Sequence, residues 1–261
     1  MCVVNLVVCM EILKSLGVVS IIPKYSYQPK YINFGNQPAD TFESKSNNRY
    51  TTETAIKNMI ESNTKIKNIV KDFNPELNLN MQELEELLKG HATDTQNISK
   101  GIIEHLPFAL QNKVDSKAIE DASYLHDLGK VLIPKEVLNK PDRLDDSETK
   151  IMHTHSELSY EMLKNSGIND KTLKLIRNHH QNAKRTGYPW VSHDFNADLN
   201  LQILSAADKY SALTEKRTYK EPLTSQQALT IIYKDVKEGK LHPFVFKALA
   251  GYAQSPICVM K

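Results

Sequence analysis

Tyr124-Leu125-His126-Asp127-Leu128-Gly129-Lys130 is the stretch on which the reading of this chain turns. It sets a nitrogen ligand beside a carboxylate and follows them, after two residues, with a lysine. That is a compact set for holding a metal and a phosphate. A His-Asp dipeptide arises easily by chance, so its weight comes from residues further along the chain. His155, His179, His180 and Asp208 each stand in a context that suits a metal ligand.

Helical phase separates ligands from bystanders, because residues three and four apart share a face. Ile151, Met152, Leu158 and Ser159 flank His155, which puts it on an inward stripe. Thr149, Lys150, Ser156 and Glu157 flank His153, which puts that histidine on a solvent face. Asp208 shares its face with Leu201, Leu204 and Ala212, lies within a helix rather than at a cap, and needs a cation or several donors if buried. Taken singly, His155 also reads as a hydrogen-bonded core histidine and Asp208 as half of a salt bridge. His179 and His180 point about 100° apart on a helix. They can serve two ions, or one ion and a substrate; the plainer reading is a pair favoured by the dipole at a helix C-terminus. Asp127 has two oxygens and can bridge two cations. A His, His, Asp site with open positions suits a divalent transition metal, and five or six ligands suit two of them. Lys130 lies one turn beyond the pair if the helix continues, where its ammonium can meet a phosphate. If Gly129 ends the helix, a loop places Lys130 instead. A ligand is also needed upstream, and both His91 and His105 are inward by phase, although Gly90 weakens a smooth helix at His91.

Composition bounds the rest. The chain has 261 residues, with 33 Lys and Arg against 31 Asp and Glu, so bulk charge does not drive DNA binding. Cys2, Cys9 and Cys258 lie near the termini without metal spacing, which excludes a disulfide framework and fits a reducing, cytoplasmic setting. The apolar runs from Val3 to Met10 and Leu16 to Ile22 have no cationic lead and barely reach a membrane-spanning length, so a soluble start is expected over an anchor. Residues 23–50 are polar and read as a disordered linker, making 1–52 a poorly ordered extension. Residues 53–73 are expected to form one amphipathic helix within a connecting unit, 53–79, ended by Asn74-Pro75. Residues 80–255 then form the main domain. Its periodicity predicts helices at 81–89 (extending past His91 if Gly90 allows), 96–111, 116–128, 134–138, 145–165, 169–182, 198–215, 224–237 and 243–253. Caps are visible at Asp115, Asp145 with Glu148, and Thr224. No useful alternating run suggests a strand, and the fold class is all-α.

From about His91 to Tyr252 the chain resembles the HD superfamily of metal-dependent phosphohydrolases, and within it the HD-GYP group. The resemblance rests on His126-Asp127-Leu128-Gly129-Lys130, Ile133-Pro134, Val137 to Pro141, and Ile151-Met152 leading to His155. It continues through His179-His180 with Gly187-Tyr188-Pro189, and Leu204 to Asp208 with Tyr210, Ala212-Leu213-Thr214, Arg217 and Tyr219. It implies an HD-domain helical bundle and a phosphodiesterase acting on a cyclic dinucleotide such as cyclic di-GMP. Two divalent ions, iron or manganese, would be held by His91, His126, Asp127, His155, His179, His180 and Asp208. Lys130 and Asp127 take the catalytic roles. Lys130, Lys184, Arg185, Gly187, Tyr188, Pro189 and Arg217 fall on the substrate side. The resemblance favours His91 as first ligand, because it stands 35 residues before His126 and His105 only 21. Gln181, Lys184, Arg185 and Ser211 depart from the family pattern, which often has Glu, Asp, Gly and Asp there. Leu87 stands where some members place a glutamate for a third metal, so two metals at most are expected. The changed loop leaves room for an HD phosphohydrolase of another nucleotide, or a module that binds without turnover. The resemblance also allows a homodimer or a signalling-protein partner.

Overall fold

The computed structural model describes residues 53, 54, 56–215 and 221–255. Among these, every regular element is helical and no strand occurs. In chain order the longer helices are α1 Thr64–Val70, α2 Met81–Leu87, α3 Thr93–His105, α4 Ser116–Leu125, α5 Asp146–His153, α6 His155–Leu163, α7 Asp170–Asn178, α8 Leu199–Thr214, α9 Ser225–Lys237 and α10 Pro243–Ala253.

The helices start where the caps lie. Asp115 accepts from the Ala118 amide, while Asp145 with Glu148 and Thr224 with Gln227 form full capping boxes. Each cap contributes about 1 kcal/mol by satisfying amides the helix cannot. The ends differ from the periodicity. A continuous helix over 53–73 does not form. It breaks at Asn63, whose side chain accepts from the amides of Lys65 and Ile66 and starts α1. The segments expected at 81–89 and 96–111 join through a π-helical turn, Leu88–Ala92, and α3 stops at Leu106, before Pro107. The 145–165 helix breaks at Thr154, whose hydroxyl donates to the Ile151 carbonyl at 2.7 Å.

The ends of α4 and α7 matter most for the site. α4 stops at Leu125 rather than 128, and Asp127 enters a 3-10 turn, Leu128–Leu132, with φ −99° and ψ 5°. Gly129 makes that turn possible. A Cβ there would lie 2.3 Å from the His155 carbonyl and 2.6 Å from the Ser159 amide. The turn therefore presses directly onto α6, and the Gly129 amide donates to Ser159 Oγ at 2.8 Å. α7 ends at Asn178, leaving His179 as its cap.

α3 packs against α4, α8 and α10, and α4 also packs against α7. At Gly101 of α3 a Cβ would meet the Tyr252 ring of α10 at 2.0 Å, so those two helices touch closely. Ile102, Ile119, Leu132, Leu158, Leu163, Ile176 and Leu204 are fully buried between these layers. Each contributes roughly 1.5–3 kcal/mol through removal of apolar surface from water. α1 buries Ile66 and Val70 and packs on α6. No described helix is long and apolar enough to cross a membrane. The terminal extension with its apolar runs, the polar linker, the three cysteines and Arg217 lie outside the described residues.

Candidate metal centre

Helix ends and turns bring seven side chains to one place. His91 comes from the π turn, where the Thr93 hydroxyl takes up the Leu88 carbonyl at 2.8 Å. Such a turn adds a residue to the helix and is often found at functional positions. His126 and Asp127 follow α4, His155 opens α6, His179 and His180 close α7, and Asp208 lies within α8. All are buried except His180, which is partly exposed. His105 is exposed, donates from Nδ1 to the Gly101 carbonyl at 2.8 Å, and does not join them.

The ligand atoms fall into two groups. Asp127, His155, His179 and His180 form one; His91, His126 and Asp208 form the other. Within each group the atoms lie within 4.8 Å of one another. Asp127 reaches both. Its Oδ1 is 3.2 Å from His155 Nε2 and 3.9 Å from His179 Nε2, while its Oδ2 is 3.3 Å from His126 Nε2 and 3.6 Å from His91 Nε2. Asp208 Oδ1 is 3.0 Å from His91 Nε2 and 3.7 Å from His126 Nε2.

The protons reveal what the cluster lacks. His126, His155 and His179 each direct Nδ1 at a backbone carbonyl three residues earlier, those of Ser123, Met152 and Ile176, at 2.6–2.9 Å. A carbonyl only accepts, so Nδ1 carries a hydrogen and Nε2 faces inward, with a free lone pair wherever the ring is neutral. His155 Nε2 then stands 3.2 Å from both His179 Nε2 and His180 Nε2. His126 Nε2 and Asp127 Oδ1 are buried with no hydrogen-bond partner. Inward lone pairs beside unpartnered carboxylate oxygen form a cradle for a cation, and the donor set fits divalent metal ions.

Charge follows the same pattern. Burial pushes His155 down to about 3 and His180 down to about 4, and drives His179 well below the usual histidine range. Burial opposes charge on His126 too, but Asp127 and Asp208 overcome it and push it up to about 10. Asp127 and Asp208 are held well below the carboxylate range despite burial, the first mainly by His126 and Lys130, the second by His126 and His91. The two carboxylates call for positive charge in their midst, which a proton or a metal ion can supply.

A cavity of about 600 Å³ opens over the cluster and is lined by His91, His155, His179, His180 and Asp208 among others. Lys130 lines it as well, with Nζ 2.6 Å from Asp127 Oδ2. Of the loop residues, Gln181, Asn182, Thr186 and Tyr188 line it, whereas Lys184 and Arg185 are exposed and do not. The reason is local. Asn182 Oδ1 accepts from the Lys184 amide, Arg185 takes a left-handed φ of 58°, and Lys184 lies against Gly239, outside the cavity. Positive charge at the wall comes instead from Lys209 and Lys240. Gly187 and Pro189 shape the loop. A Cβ on Gly187 would meet the His180 carbonyl at 1.9 Å, and the Pro189 carbonyl accepts from Gln181 Nε2 at 2.6 Å.

Sequence reasoning missed several partners. Ser211 Oγ lies 3.0 Å and Glu215 Oε2 3.6 Å from His91 Nδ1. Ser211 is one turn after Asp208 on the same face, which is the signal that marks it. His153 is not a free surface residue, because the Tyr188 ring stacks on it. Only the folding-back of a remote loop creates that contact.

Residues 76–245 match the family described as HD domain. The chain is 35% identical over 127 residues to 3'3'-cGAMP-specific phosphodiesterase 2 of Vibrio cholerae, covering 48% of this chain and 24% of that protein. It is 37% identical over 129 residues to the cyclic di-GMP phosphodiesterase response regulator RpfG of Xanthomonas campestris, covering 48% and 33%. The chain thus spans a third or less of the length of these curated relatives. Among solved structures, Bd1817, an HDG"Y"P protein from Bdellovibrio bacteriovorus, aligns over 83% of this chain and 75% of its own, with a TM-score of 0.51 and 15% identity. That likeness concerns the fold.

Proposed function

Because this chain belongs to the HD-domain family, we propose that it hydrolyses a phosphodiester, with a cyclic dinucleotide as the substrate class, using two divalent ions. One observation carries the reading: Asp127 belongs to one group of ligand atoms and reaches the other through Oδ2, and its Oδ1 and the neighbouring His126 Nε2 are buried without hydrogen-bond partners among the described residues. Asp127, His155, His179 and His180 would hold one ion; His91, His126, Asp208 and the second oxygen of Asp127 would hold the other. Iron or manganese suits a mixed imidazole and carboxylate set. Bound there, divalent ions would acidify water and neutralise charge on phosphate oxygens.

The chain's own groups do the rest. The carbonyls of Ser123, Met152 and Ile176 hold three imidazoles in the tautomer that presents Nε2 inward. Lys130 balances Asp127 and lines the cavity, within reach of a phosphate oxygen. Lys209 and Lys240 add cationic donors on the wall, and Tyr188 offers a flat face beside His180. Such a cavity has the size of a small-ligand site. The relatives whose names state cyclic di-GMP or 3'3'-cGAMP as substrate support the substrate class.

The test is elemental analysis of the purified chain, then assay of the same sample on cyclic di-GMP and 3'3'-cGAMP by product chromatography. The proposal expects bound transition metal and linear or mononucleotide products. Metal-loaded protein that cleaves neither of them nor a generic phosphodiester would overturn it.

A further inference from the structure

Three of the clustered histidines are locked in orientation by a backbone carbonyl, and among the described residues no carbonyl holds His180 in that way. Its Nδ1 faces Asp208 Oδ2 at 3.8 Å, too far for a hydrogen bond, and its side chain is 27% exposed where His126, His155 and His179 show 1% or less. Its ring meets those of His179 and His155 edge-on or tilted, with centroids 4.0 and 5.0 Å away, and the most nearly parallel ring against it is that of Tyr188. Tyr188 lies over it with centroids 4.5 Å apart and planes 31° apart. The other face of that tyrosine contact is His153, stacked at 3.6 Å and 13°.

We propose that His153 is a positioning residue: backing Tyr188, it fixes the ring plane of His180 and so the fourth ligand of the Asp127, His155, His179 and His180 group. This rests on the metal-binding part of the proposed function. The chain of contact is direct. His153 ends α5, one residue before the break at Thr154, so its ring stands outside the core stripe of His155. The loop from Gln181 to Pro189 folds back over that ring. Gln181 holds the loop closed through the Pro189 carbonyl, and Gly187 lets it pass against the His180 carbonyl. Tyr188 is thereby clamped between two imidazoles, one of which faces the ligand cluster. Without His153, Tyr188 loses the surface opposite the cavity and can tilt, and His180 has no carbonyl to hold it. What is required of position 153 is a flat ring rather than a titrating one, and this distinguishes a stacking role from a proton-transfer role.

Manganese binding by the full chain tests this, read as the concentration of free Mn²⁺ by electron paramagnetic resonance, with the melting temperature of metal-free protein alongside. His153→Ala should weaken one of two Mn²⁺ equivalents about tenfold, the lower end of what loss of a ligand's supporting partner does. His153→Phe should restore binding to within twofold. In a Tyr188→Ala background, His153→Ala should add no further loss, because the tyrosine transmits its effect. Unchanged binding in His153→Ala, a His153→Phe variant as weak as the alanine, or full additivity with Tyr188→Ala would overturn the proposal. Should His153→Ala melt early without metal, the phenylalanine rescue and the Tyr188→Ala comparison still decide it. Wild-type chain that binds no Mn²⁺ would remove the proposed function itself. Wild-type binding with indifferent His153→Ala removes only the role of His153.

Discussion

Asp127 and Glu161 are both buried carboxylates, at 1% and 3% exposure, yet their surroundings are opposite. Glu161 has Lys65 Nζ at 2.9 Å and Lys164 Nζ at 2.5 Å, and its own backbone carbonyl receives Asn63 Nδ2 at 3.2 Å. The protein itself supplies its cations, and the result ties α1 to α6. Asp127 has four imidazoles within 4 Å and one lysine, and its Oδ1 receives no hydrogen bond. A buried carboxylate among ammonium groups is completed by the fold. One among inward-facing imidazole nitrogens is left for an ion from outside. The kind of nitrogen, more than burial, separates the structural cluster from the candidate site.

Removing each carboxylate should break this symmetry most sharply. Asp127→Ala should abolish both metal content and phosphodiester turnover, seen by elemental analysis and product chromatography, while Glu161→Gln keeps both. Metal retained in Asp127→Ala would end the distinction. Added Mn²⁺ at a hundred times its dissociation constant should stabilise wild type and Glu161→Gln by about 2.7 kcal/mol for each ion bound in thermal melts, and Asp127→Ala not at all.

The loop above the centre gives the next effect. Gln181 is buried, donates to the Pro189 carbonyl and accepts weakly from the Gly187 amide at 3.3 Å. Gln181→Glu sets a carboxylate oxygen against that carbonyl, so turnover should fall about tenfold, as expected for an unmade buried hydrogen bond of about 1–3 kcal/mol, with metal content intact. Metal loss in that variant would make the loop part of the ion-binding shell.

Glu161→Gln should cost about 1 kcal/mol at neutral pH, since both lysines are partly exposed. Burial pushes Glu161 up, but Lys164 and Lys65 together hold it below its usual range of about 4.3. A depressed carboxyl stabilises above its unfolded value and loses that contribution as pH falls through the folded value. The gap between wild type and Glu161→Gln in denaturant melts should therefore close in acid. The smallest effect is Arg185→Gly. It relieves a left-handed backbone and removes no cavity contact, so stability should rise by under about 1 kcal/mol with turnover unchanged. A large loss of turnover would return Arg185 to the substrate side.

Much of the centre is legible in the chain because it is built on helices. Phase alone places His155 and Asp208 inward, and the caps at Asp115, Asp145 and Thr224 mark where α4, α5 and α9 begin. The choice between His91 and His105 is not legible from phase, because it depends on a π turn that re-aims His91. Periodicity runs past the helix ends at Leu125 and Asn178, since close packing of Gly129 on α6 is a tertiary fact. The loop is least legible. The charges of Lys184 and Arg185 suggest phosphate contact, but an Asx turn and a left-handed residue carry them outward. By phase His153 faces solvent, and only the fold brings Tyr188 onto it.

The most direct measurement is anomalous diffraction at the metal edge from crystals of the full chain grown with Mn²⁺. The account predicts two peaks, one about 2 Å from nitrogens of His155, His179 and His180, the other from His91 and His126 nitrogens and an Asp208 oxygen, with Asp127 touching both. No peak in this cluster, or a single ion that leaves Asp127 uncoordinated, would contradict it.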